Sequence, residues 1–181
     1  MLDWIVNDVE LFDIVDKNDV VINSWLKEDE LHINDDITRV VTTFVFDEKW
    51  QFLIWQRSNN KIVDPGKFEA PAHGRVNSGE WYEIAAQREV YEELWVKLKT
   101  YEVVDHYYTS FDSNIWIRQH FKKLLVWKIS WDVKFCEKEM LWVKYFKSEN
   151  TFFEYYENNK WEFSDALEID VIKLKNYFKN K

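Results

Sequence analysis

Residues 74–96 read Gly74-Arg75-Val76-Asn77-Ser78-Gly79-Glu80-Trp81-Tyr82-Glu83-Ile84-Ala85-Ala86-Gln87-Arg88-Glu89-Val90-Tyr91-Glu92-Glu93-Leu94-Trp95-Val96. From Glu80 to Leu94 the apolar residues recur at helical spacing, so Ile84, Ala85, Val90, Tyr91 and Leu94 are expected to cluster on one side of a helix. Ser78 is the expected N-cap, and Glu80 falls in the first turn, where the helix dipole favours a negative charge. Glu89, Glu92 and Glu93 stand at i, i+3 and i+4, which brings their carboxylates to one face about a turn apart. Like charges at that spacing repel by roughly a few tenths of a kcal/mol per pair, and a cation between them reverses the sign. Oxygen ligands without His or Cys suit Mg²⁺ or Mn²⁺ rather than Zn²⁺. Mg²⁺ retains waters and reaches for phosphates, so the face points to a phosphate-ester substrate bridged through metal. Arg88 is placed to pair with a carboxylate and fix its rotamer. A Glu-rich helix face alone is ordinarily solvated surface; the spacing of its neighbours is what changes the reading.

Outward from this stretch, apolar runs alternate with turn formers. Residues 11–16 and 20–24 flank Lys17-Asn18-Asp19 as a hairpin, and the acidic residues 27–36 follow as a loop. Residues 38–46, rich in Val, Thr and Phe, are expected to form a mostly buried strand, with 51–57 as its antiparallel partner. Polar residues 58–67, ending in Asp64-Pro65-Gly66, read as loop, and 68–76 as a strand entering the turn Asn77-Ser78-Gly79. Further strands are expected at 101–108, 119–129 and 140–146, with a short helix at 151–156. A C-terminal helix over 163–179 is expected to pack through Leu167, Val171, Leu174 and Phe178. The fold class is α+β, a helix embedded between strands.

The 181 residues suit one domain, and 46% hydrophobic content excludes wholesale disorder. No run approaches the ~18 apolar residues of a membrane span, and MLDWIVNDVE lacks a secretory signature. The single cysteine, Cys136, excludes an intrachain disulfide and fits a reducing cytoplasm. A net charge of −9 disfavours a nucleic-acid coat, which needs basic surface.

One composition figure is abnormal: 11 tryptophans against 3 glycines. Together they approach the roughly 13 expected of glycine alone. Trp50, Trp131 and Trp161 sit among turn formers, and Trp95 closes the helical pattern where helices often stop on a left-handed glycine. These tryptophans are read as glycines of the native protein, encoded by UGA codons that some bacterial lineages translate as glycine; the alternative is a protein truly rich in tryptophan.

The stretch 74–96 resembles the Nudix box, G-x5-E-x7-R-E-U-x-E-E-x-G-U with U aliphatic. Gly74, Glu80, Arg88, Glu89, Val90, Glu92, Glu93 and Val96 match at the required intervals, and Trp95 departs where the family has glycine. The resemblance implies an α/β/α sandwich with a mixed sheet, the box forming a loop–helix–loop. Residues 38–181 would be the domain, with 1–37 an N-terminal hairpin extension packed on it. It also implies that Glu89, Glu92, Glu93 and the Gly74 carbonyl hold metal, and that Glu80 and Arg88 support them. The reaction implied is Mg²⁺-dependent hydrolysis of a nucleoside diphosphate linked to another group, by water attack at phosphorus.

The segments 11–16, His32 with 35–40, Gln56-Arg57-Ser58 and 64–68 look like the Nudix subgroup related to type 1 isopentenyl-diphosphate isomerase, which raises an isomerase as rival. Two departures oppose it: His73 stands where that enzyme has its catalytic cysteine, and the helix keeps the hydrolase form R-E-x-x-E-E. A non-catalytic nucleotide-binding Nudix module is a third reading, opposed by the intact carboxylate set. Glu92, Glu93 and a carboxylate from outside the box are the expected catalytic groups. Glu137, Glu139 and Glu149 are the outside candidates, Glu139 favoured because Glu139-Met140 enters a late strand. His73 faces the metal loop or merely packs it, and His32 is expected to be structural. Arg57, Lys61, Lys67, Arg75 and Arg118 are candidates for the diphosphate, with Lys67 and Arg75 nearest the box. Tyr107, Tyr108 and Phe111 would stack a base or lie in the core. The partner is a small diphosphate, with no nucleic-acid polymer and no membrane; the leaving group and a homodimer are left open.

Overall fold

The computed structural model describes residues 10–26, 36–47, 49, 51–61, 63–96, 100–113, 116–129 and 140–181, with the side chains of 111–117 left aside. In chain order the strands are β1 (Leu11–Val15), β2 (Val21–Leu26), β3 (Ile37–Phe46), β4 (Phe52–Arg57), β5 (Phe68–Glu69) and β6 (Ala72–Arg75). Helix α1 (Tyr82–Leu94) follows, then β7 (Tyr101–Ser113), β8 (Trp116–Lys128), β9 (Met140–Phe146), α2 (Glu149–Asn158), a 3-10 turn at Lys160–Glu162, and α3 (Leu167–Lys179). Among these elements no helix is long and apolar enough to cross a membrane.

Strand β3 organises the sheet. It pairs antiparallel with β1, β4 and β6, and parallel with β8 from Ile37↔Gln119 to Phe46↔Lys128. Its run ITRVVTTFVF is buried almost throughout because helices cover both faces. On one face Val41 meets Tyr82, Ala85 and Ala86, and Val45 meets Val90 and Leu94, all from α1. On the other, Phe44 and Phe46 meet Phe152 of α2 and Leu174 of α3. Phe52 stacks on Phe152 at 4.3 Å between ring centroids, and such a ring, fully buried, contributes about 1.5–3 kcal/mol. The mixed sheet with helices is the expected α+β architecture.

The hairpin β1–β2 forms on the expected turn. Asp16 Oδ1 accepts from the N–H groups of Asn18 (2.8 Å) and Val20 (3.0 Å), which closes the loop. Asp19 then receives Nε of Arg39 at 2.6 Å and the hydroxyl of Tyr82 at 3.0 Å, fixing the hairpin beside α1.

Several expectations are corrected. Residues 68–76 form two strands, because Pro71 lacks the N–H a continuous ladder needs. Helix α1 begins at Tyr82, with Trp81 at the N-cap and no side-chain cap, so Ser78 is not the cap. Ile84 and Tyr91 are exposed, 50% and 48%, while Tyr82 and Ala86 take the buried face with Ala85, Val90 and Leu94. α3 starts at Leu167, since residues 163–166 turn back to the sheet, where Ser164 N–H donates to Phe68 O. β7 is longer than expected because it pairs with β8 over its whole length. Trp50, Trp131, Cys136 and the loop residues 27–35, His32 among them, lie outside the described residues.

Candidate active site

The site grows from a close approach of backbone and carboxylate. Gly74 lies in β6 opposite Val41 of β3, and it faces α1. A Cβ at this position would stand 2.0 Å from the carboxyl carbon of Glu89, so only glycine leaves room for that carboxylate against the strand. One helical turn further on, Glu93 is 9% exposed and accepts the N–H of His73 at 3.2 Å. Glu92 is more open, its side chain 56% exposed.

Arg88 ties the box together. Its Nε and Nη2 each reach Glu80 at 3.0 Å, a two-point grip on one carboxylate. Nη1 donates to Glu89 at 2.6 Å and to Glu92 at 3.4 Å, and Nη2 also donates to the carbonyl of Arg75 at 2.8 Å. The other oxygen contact of Glu80 is the N–H of Asn77, at 3.0 Å from Oε2. Burial works against ionisation of Glu80, but the Arg88 and Asn77 donors outweigh it and hold its carboxyl below the usual range. Glu80 therefore precedes the helix and clamps its entry loop, and β1 supports that loop from outside through Leu11 O, which accepts from Ser78 at 2.8 Å.

Glu89, Glu92 and Glu93 line one cavity of about 430 Å³. Its walls include His73 and Arg75 from β6, Arg118 and His120 from β8, and Arg57 and Lys61 from the end of β4 and the following loop. His120 is buried and His73 half-buried, and both use Nδ1 toward a threonine, His73 to Thr42 at 2.9 Å and His120 to Thr38 at 2.6 Å. Burial, reinforced by the Lys122 charge, pushes His73 down to about 3. Burial also holds His120 well below its ordinary value, with Arg75 and Lys122 acting the same way. Both rings are therefore neutral polar groups at physiological pH.

The all-oxygen donor set and the glycine seat under Glu89 suit a hard divalent cation. Among the described residues no three His, Cys, Asp or Glu side chains already converge as a closed ligand cluster. Arg88 holds Glu89 and the His73 N–H holds Glu93, so drawing the carboxylates together requires side-chain rotation.

Other expected residues are placed elsewhere. Lys67 donates to the carbonyl of Trp161 and borders a separate cleft with Trp142 and Tyr155, so it is not brought to the box. Glu149 opens α2 beside Lys175 and Phe178, also away from the cavity. Tyr107 hydrogen-bonds Asp170 of α3 and Tyr108 bonds Gln119, and neither lines the cavity. Glu137, Glu139 and the side chain of Phe111 lie outside the described residues. Sequence reading missed His120, Trp55 and Phe12 as cavity walls. The available signal was the i, i+2 alternation Arg118, His120, Lys122, which puts three polar residues on one face of β8.

The NUDIX domain model matches residues 36–163. An uncharacterised Nudix hydrolase of Nostoc sp. is 39% identical over 90 residues, 49% of this chain and 53% of that protein. A Nudix hydrolase of Deinococcus radiodurans is 35% identical over 89 residues, 49% of this chain and 52% of that protein. The match thus spans about half the length of these bacterial relatives. Among solved structures, a Deinococcus radiodurans protein superposes with a TM-score of 0.72 at 22% identity, covering 91% of this chain and 98% of that one. A MutT protein of Methanosarcina mazei gives 0.62 at 19% identity, covering 80% and 94%. With a box glycine seating a box glutamate and a family match across most of its length, the chain belongs to the Nudix family.

Proposed function

We propose that the protein is a Mg²⁺-dependent hydrolase, also served by Mn²⁺, that cleaves the diphosphate linkage of a small molecule by water attack at phosphorus. The observation that carries this reading is the seating of Glu89 on Gly74 in the lining of a cavity that Glu92 and Glu93 share. Glu89, Glu92, Glu93 and the Gly74 carbonyl would hold the cation, which when bound offsets charge developing on the phosphoryl oxygens. Arg88, itself fixed by Glu80, keeps Glu89 and Glu92 on one face of the helix, from which their side chains would rotate to the cation. Arg75 faces the same cavity and would bind a phosphate oxygen. Glu92 and Glu93 are the proposed catalytic carboxylates, joined on sequence grounds by Glu139. The reading extends to a cytoplasmic protein acting on a soluble nucleoside diphosphate-X type or related compound.

The kinship to isopentenyl-diphosphate isomerases belongs to the same proposal, but hydrolysis is favoured over isomerisation. Position 73 carries an imidazole hydrogen-bonded to Thr42, and no thiol occupies it. Incubation with Mg²⁺ and a panel of nucleoside-diphosphate and prenyl-diphosphate compounds, followed by product analysis, tests the reading. Turnover that requires Mg²⁺ and falls at least about 100-fold in Glu92→Gln and Glu93→Gln supports it; turnover that survives both substitutions removes the metal site.

A further inference from the structure

The imidazole of His73 lines the cavity with one ring nitrogen committed and the other open. His73 sits in β6 directly opposite Thr42 of β3, and its Nδ1 meets the Thr42 hydroxyl at 2.9 Å. Its backbone N–H goes to Glu93 at 3.2 Å. Nε2 has no hydrogen-bond partner among the described residues, and the ring shares the cavity wall with Arg75, Glu89 and Glu93.

The committed nitrogen decides where the ring proton lies. Thr42 is 0% exposed, and His73 is the one hydrogen-bond partner of its hydroxyl among the described residues. A buried O–H left without an acceptor forfeits its bond to water in full, whereas a hydroxyl oxygen tolerates an unused lone pair. Thr42 therefore donates, Nδ1 accepts, and the proton of the neutral ring sits on Nε2.

That placement restricts what the ring can do. An Nε2 that already carries a proton offers no lone pair, so it neither takes a proton from water nor binds a cation. It donates. Residues two apart on a strand share a face, so His73 and Arg75 stand about 6.6 Å apart along one side of β6. A diphosphate held at Arg75 can therefore meet the imidazole as well.

We infer that His73 binds the substrate diphosphate through Nε2–H, as a neutral donor to a phosphoryl oxygen, and that Thr42 sets this tautomer from behind. The inference rests on the hydrolase reading above and adds a substrate-contacting residue to it. Thr42 is the positioning residue, acting through the ring.

Long-range ¹H–¹⁵N NMR of the full chain, labelled at its 4 histidines, reads the tautomer directly. The ring signals lost in His73→Phe belong to residue 73. They are expected to show the proton on Nε2, and to shift when imidodiphosphate, a hydrolysis-resistant diphosphate, is added with Mg²⁺. Calorimetry should find imidodiphosphate bound about tenfold more weakly by His73→Phe, and under about threefold more weakly by His73→Gln, whose amide keeps a donor. Thr42→Val should let the proton populate Nδ1 and weaken binding several-fold, with no further loss when combined with His73→Phe. A proton on Nδ1 in the wild-type protein, absence of imidodiphosphate binding, or ring signals unmoved by it overturns the inference, whether or not the variants fold. A responding ring without Mg²⁺-dependent turnover of any diphosphate would discard the hydrolase and keep the contact; turnover with a silent ring would do the reverse.

Discussion

Replacing Gly74 by Ala adds one carbon where the Glu89 carboxylate sits. The new Cβ would lie 2.0 Å from Cδ and Oε1, so reaching 3.4 Å of ordinary contact requires a withdrawal of about 1.4 Å. The backbone does not resist the change, because Gly74 is absent from the positive-φ residues. In the unfolded chain Ala has less freedom than Gly, a gain of about 0.4–1 kcal/mol for the folded state. Against this stands the strained or broken 2.6 Å bond from Arg88 to Glu89, which at a partly exposed site is worth about 0.5–1.5 kcal/mol. Stability should therefore change by no more than about 1 kcal/mol, a melting shift of roughly 2–4 °C. Activity should suffer far more, since misplacing a catalytic group by about 1 Å costs on the order of 100-fold. Steady-state kinetics across a Mg²⁺ titration, beside thermal melts, separates the two effects. The double variant Gly74→Ala with Glu89→Asp shortens the acid by about 1.5 Å and should recover part of the loss, so the two changes are non-additive. A Gly74→Ala enzyme with kcat/KM within threefold of wild type and an unchanged Mg²⁺ requirement would refute the seat as the reason for the glycine.

Three further outcomes follow from the packing. His120 is neutral in the fold and its pKa is depressed by burial, so the unfolded chain takes up a proton below about pH 6.5 that the folded one refuses. Stability should fall as pH drops below that value, by up to about 1.4 kcal/mol per pH unit for this one group, and His120→Gln should flatten the slope of melting temperature against pH between 7 and 5. Lys122 and Asp170 pair at 2.8 Å with side chains 2% and 1% exposed. Asp170→Asn should destabilise by about 3–5 kcal/mol in urea unfolding, while Lys122→Met with Asp170→Leu should recover most of it. Trp95→Gly should raise stability by about 1 kcal/mol in the same assay, because an L-residue in the left-handed region costs roughly 1–2 kcal/mol.

What the sequence disclosed was local or periodic. The hairpin on Lys17-Asn18-Asp19 was legible because Asp16 closes the turn through its own neighbours. β3 was legible because both its faces are buried, leaving a run of Ile, Val, Thr and Phe interrupted by a single charge, Arg39. The box spacing gave Glu89, Glu92 and Glu93, and the structure lines one cavity with them. Features that depend on distant partners were not legible. Nothing in residues 116–128 announces a parallel pairing with β3, yet that pairing delivers Arg118 and His120 to the cavity. Lys67 is near the box in sequence but follows β5 to the opposite side of the sheet, where Trp161 holds it. Helix α1 starts late because the Glu80 carboxylate serves Asn77 and Arg88, and so the loop persists to Trp81.

The tryptophans divide by what the backbone asks of them. Trp95 has φ 55° and ψ 27°, and its N–H donates to Tyr91 O at 2.9 Å, the geometry of a helix ending on glycine. Its side chain is 60% exposed, so packing supplies little reason for a large ring in a conformation that disfavours it. Trp81 and Trp161 are likewise open, at 77% and 71%. Trp55 and Trp127 differ, being 4% and 3% exposed within the core beside α1, where a glycine would leave a void. The case for native glycine therefore rests on position 95, which is also the one box position that departs from the family pattern. A UGA codon there is expected; a UGG codon would make the left-handed tryptophan a true feature of this enzyme, and its strain a constraint on how the box helix ends.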